Sequence, residues 1–163
     1  MVYFLKIYDK IINGKGKVYM KKHLNLLVLC GSLLFAVLNF AFLAGAAVVA
    51  KSGSIVIKSD SVYACLGDAT GTLIAFILFL LGFLAAAALL VLALMKKNIK
   101  FDLIIAFCAG LFLLVAGVLF FCGVSFIGGN GLGAGSVLCG IFSILAALGM
   151  CFYGALAGKL IKL

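Results

Sequence analysis

The chain has 163 residues, 67% of them hydrophobic and only 10% charged, with a mean hydropathy of +1.42. A soluble domain is about 45–50% apolar and about 25% charged, and one this small keeps much of its surface in water. The composition therefore excludes an ordinary soluble fold, and the long uncharged runs point to an all-α membrane protein. The net charge is +9, carried entirely by lysine. The lysines sit almost wholly at the ends of apolar runs. That placement suits a bilayer with anionic headgroups on the cytoplasmic side, and no nucleic-acid motif or aromatic-interleaved basic patch accompanies it. Glutamate, arginine, proline and tryptophan are absent.

Residues 1–22 form a basic segment. Within VYFLKIYDKIIN, residues 2–13, Lys6, Asp9, Lys10 and Asn13 share one helical face opposite aromatic and branched residues. This pattern predicts a short amphipathic helix lying in the membrane interface. Two starts remain open, Met1 and Met20, because MKKHLNLLVL also reads as a membrane-protein N-terminus. The apolar run that follows exceeds the 7–15 residues of a signal-peptide core, so it is read as a retained span.

That run, residues 24–50, is the first predicted transmembrane helix. It carries a polar stripe: Asn25, Ser32 and Asn39 recur every seven residues, and Ala46 continues the series. Seven residues make nearly two turns, so the stripe stays close to one face. It is read either as a helix-packing seam or as a polar track for a solute or ion. The packing reading is favoured, because intramembrane pathways usually carry ionisable residues and the spans hold none except Asp102 at a helix end.

Residues 51–70 are the longest loop. A short strand is expected at Ser54–Ser59, and Asp68, Thr70 and Thr72 are candidate caps for the next helix. The second span covers 71–95, with Gly82 and Ala85–Ala88 as a small-residue patch. Lys96, Lys97 and Lys100 mark a basic turn. The third span covers 101–124, with Ala106, Gly110 and Gly117 as its small residues and Asp102 in its first turn. A glycine-rich turn precedes the fourth span, 134–158, which is followed by Lys159 and Lys162.

Four spans place eleven lysines on one side (6, 10, 15, 17, 21, 22, 96, 97, 100, 159 and 162) and two on the other, Lys51 and Lys58. The positive-inside rule then makes Lys15, Lys17, Lys21, Lys22, Lys96, Lys97, Lys100, Lys159 and Lys162 topology-setting, with both termini cytoplasmic. The expectation is one integral membrane domain over residues 1–163, a four-helix antiparallel bundle in a cytoplasmic (plasma) membrane.

No catalytic constellation emerges. His23 is the single histidine, so bis-histidine haem ligation is excluded, and the six cysteines contain no CxxC pair. No cofactor or metal is expected. A proton-coupled exporter of the four-helix type would want a membrane-embedded glutamate. Cys65 in the outer loop and Cys122 at the outer end of the third span are a candidate disulfide. Gly129–Ser136, GNGLGAGS, reads as a flexible turn and not as a phosphate loop, since no strand precedes it.

The layout resembles that of claudin- or peripheral-myelin-type tetraspan proteins: four spans, both ends inside, the longest loop first. Those families carry tryptophan and paired cysteines in that loop, whereas this one has only Cys65, so no family is assigned and no residue role is transferred. The expected function is that of a non-enzymatic interaction or scaffold protein, associating with itself or another membrane protein through small-residue faces. The alternative is a small oligomeric channel or transporter lined by the first-span stripe.

Overall fold

The computed structural model describes residues 24–52, 55–68, 70–95, 101–123 and 131–157. The predicted interfacial helix at 2–13 and all nine topology-setting lysines lie outside these residues. The described chain is mostly helical. Its long helices are α1 (Leu24–Phe42), α3 (Thr70–Leu94), α4 (Asp102–Phe121) and α5 (Ala134–Ala157). A short helix, α2 (Val62–Asp68), precedes α3. The strands are β1 (Ala46–Ser52), β2 (Ile55–Ser61) and β3 (Gly131–Leu132).

All four long helices are long and apolar enough to cross a membrane, at 19 residues for α1, 25 for α3, 20 for α4 and 24 for α5. Even α1 reaches about 28 Å at 1.5 Å per residue, close to the hydrocarbon thickness of a bilayer. Large apolar side chains point outward from every one of them, among them Leu34, Leu84, Leu111 and Leu148. An apolar exterior of that extent belongs in lipid, and the chain is a membrane protein.

The helices pack by close backbone approach, because in lipid no hydrophobic force draws one apolar helix to another. A Cβ on Gly82 of α3 would lie 2.7 Å from Leu113 Cγ of α4. One on Gly110 of α4 would lie 2.9 Å from Cys151 Sγ of α5, and one on Gly117 an equal 2.9 Å from Ile144 Cγ1. As α4 advances from Gly110 to Gly117, its partners on α5 step back from Cys151 to Ile144, so these neighbours run in opposite directions. The small residues expected at 82, 106, 110 and 117 all lie in contacts of this kind, with Ala106 against Gly154.

Two expectations need correction. The first span does not continue to Ala50: α1 ends at Phe42, a turn follows, and Ala46–Ser52 is strand. The break falls at Gly45, where a Cβ would sit 2.9 Å from Gly135 Cα, an approach that only glycine at both positions permits. Val48 and Val49 beyond it favour extended backbone. The fold is also not purely helical. The strand expected at Ser54–Ser59 is found as β2, and it pairs antiparallel with β1, which pairs antiparallel with β3, in the order β2-β1-β3. The β3 pairing, with Val48 opposite Leu132, ties the segment before α5 to the one after α1.

The three-stranded sheet and α2 together form a cap, which backbone bonds tie to the end of α1. Val62 N–H donates to Gly45 O at 3.0 Å and Tyr63 N–H to Leu43 O at 3.2 Å, so the N-terminus of α2 satisfies carbonyls at the C-terminal end of α1. Ser61 caps α2 by accepting from Ala64 N–H at 3.2 Å. Thr72 falls inside the first turn of α3, not at its cap.

Candidate functional site

The sequence singled out the polar stripe of α1 as a packing seam or a polar track, and the structure turns most of it toward α5. Its frame is a seven-residue pattern. Asn25, Ser32 and Asn39 are flanked four residues on by Leu29, Ala36 and Leu43, all fully buried, and three residues on by Val28, Phe35 and Phe42, partly buried. Side chains three and four apart on a helix are neighbours, so the stripe is enclosed by apolar residues on both sides. Ala46, the fourth member of the series, lies in β1 and is not on the helix.

Asn39 is 1% exposed and its Nδ2 donates to Ser143 Oγ of α5 at 2.6 Å; Ser143 is 0% exposed. One turn earlier on α5, the Cys139 thiol points at Asn39 O, 3.8 Å away. Ser32, 3% exposed, donates its hydroxyl back to Val28 O at 2.9 Å, and Gly149 of α5 lies so close that a methyl there would overlap the Ser32 hydroxyl. Asn25 is half-buried near the start of α1. Oδ1 of Asn25, Oδ1 of Asn39 and Oγ1 of Thr72 are buried without a hydrogen-bond partner.

Aromatic rings hold α1 from two sides. Phe142 of α5 stacks on Phe42 with centroids 5.0 Å apart and meets Phe35 at 5.8 Å. Phe40 meets Phe79 at 5.2 Å and Phe83 at 5.3 Å, both on α3 and both edge-on. These geometries suit the ring quadrupoles. The helix is thereby fixed between α3 and α5, with its stripe on the α5 side.

The sequence reading missed Ser143. The signal was present: Ser136, Cys139 and Ser143 fall at i, i+3 and i+7, a polar line on α5 that matches the α1 stripe, and all three are buried. Of the candidate Cys65–Cys122 pair, Cys122 carries a free thiol in this structure. The structure puts Cys65 in α2 and Cys122 at the C-terminal cap of α4. Among the described residues no three His, Cys, Asp or Glu side chains gather where a metal ion would be held.

Comparison with known proteins finds no matching family model, no matching curated protein and no matching solved structure.

Proposed function

We propose that this protein is a non-enzymatic interaction or scaffold component of a cytoplasmic (plasma) membrane. In this reading it is a four-span antiparallel bundle with both termini cytoplasmic, and it associates with itself or with another membrane protein. The observation that carries the reading, against a solute path, is the Asn39–Ser143 bond: the most buried polar side chain of the stripe is engaged with a neighbouring helix. Leu29, Leu33, Ala36 and Leu43 are buried beside the stripe, which supports packing over a solute path. The lysine distribution supports the orientation.

Thiol access tests both parts. Single cysteines replacing Asn25, Ser32 and Asn39 in native membranes should stay protected from aqueous thiol reagents at 32 and 39. A cysteine at Asn98 should react only from the cytoplasmic side and one at Ser54 only from the outer side. Rapid aqueous labelling at 32 and 39 would overturn the packing reading, and the reverse sidedness at 98 and 54 would overturn the orientation.

The second reading, a small oligomeric channel or transporter, draws on the unpartnered oxygens of Asn25, Asn39 and Thr72. Acceptors without donors in a membrane interior are costly and are often found where water or a ligand enters. Solute flux in proteoliposomes that is lost in Asn39→Leu would favour it.

A further inference from the structure

We draw no further inference here: the strongest candidate, the edge of strand β2 turned away from β1 in the three-stranded cap, has the form of a site for strand addition, but nothing in the structure shows what covers it.

Discussion

The Gly149→Ala substitution tests the α1–α5 seam most directly. In the native packing a Cβ at residue 149 would meet the Ser32 hydroxyl first, then Ser32 Cβ at 3.2 Å and Ser32 Cα at 3.6 Å. Two responses are open to the protein. Ser32 can rotate away and give up its 2.9 Å bond to Val28 O, which costs about 0.5–1.5 kcal/mol. Alternatively, the two helices separate locally, and overpacking of this kind costs about 1–3 kcal/mol. The cheaper response sets the cost, so Gly149→Ala alone should destabilise by about 0.5–3 kcal/mol. Adding Ser32→Ala removes the oxygen but leaves a tight 3.2 Å carbon contact, so recovery should be partial. Adding Ser32→Gly leaves only the ordinary 3.6 Å contact, so the steric cost should vanish, while the helix propensity lost at 32 and gained at 149, each up to about 1 kcal/mol, largely offset. Denaturant-driven unfolding in mixed micelles, followed by helicity, gives the four stabilities needed for the cycle. Strictly additive effects of Gly149→Ala and Ser32→Gly would mean that residues 32 and 149 do not touch, and the seam as described would be wrong.

The Asn39→Ala and Ser143→Ala cycle should give a coupling of about 0.6 kcal/mol and no more than about 1.7 kcal/mol, the range for hydrogen bonds between membrane helices. Zero coupling in the same unfolding assay would remove the bond. Asn39→Leu with Ser143→Ala should stay within about 1.5 kcal/mol of the native protein, because it removes the unpartnered Oδ1 together with the bond while nearly keeping the volume. Gly31→Ala should be neutral or stabilise by up to about 1 kcal/mol, since nothing lies within 4 Å of the added methyl. Gly135→Ala should instead loosen the cap, because its methyl would meet the Gly45 and Ala46 backbone, which cannot rotate aside. Faster proteolysis between residues 46 and 61 in that variant, with Gly31→Ala unchanged, is the expected readout. The chain should migrate identically on gels with and without reductant; a reductant-sensitive shift abolished by Cys122→Ser would restore the disulfide.

The helices were legible because lipid imposes a simple rule. Each span must satisfy its own backbone and present apolar side chains outward, and both demands are written in long uncharged runs. The bounds of α3 and α5 accordingly fall within a residue of those read from hydropathy. The end of α1 was not legible, because Gly45 to Ala50 is as uncharged as the helix before it. Hydropathy cannot distinguish a span from an uncharged strand that follows it without a break. The deciding event is tertiary: Gly45 meets Gly135, ninety residues away, and Gly133 N–H donates to Ala47 O at 2.9 Å. The stripe was legible in its spacing, and so was a matching polar line on α5, Ser136, Cys139 and Ser143; which of its members meets Asn39 is decided only when the helices assemble.

The seam also accounts for how a bundle of nearly interchangeable apolar faces settles on one arrangement. Elsewhere contact is made by shape. Gly82 receives Leu113, Gly117 receives Ile144 and Gly140 receives the Phe121 ring. Such contacts are strong in sum but weakly selective, because a one-turn slip of about 5.4 Å exchanges one apolar neighbour for another. The Asn39–Ser143 bond is different in kind. Formed, it contributes less than about 2 kcal/mol. Slipped by a turn, it would leave the Asn39 amide and the Ser143 hydroxyl facing hydrocarbon, at roughly 2–7 kcal/mol for each group without a partner. The bond is thus worth little as stability and much as a penalty against wrong registers. Losing it should broaden the ensemble of α1 positions more than it lowers the unfolding free energy. Distance distributions between spin labels on α1 and α5 should widen in Asn39→Leu even where its unfolding midpoint is unchanged. A distribution as narrow as the native one would assign register to the Phe35, Phe42 and Phe142 cluster instead.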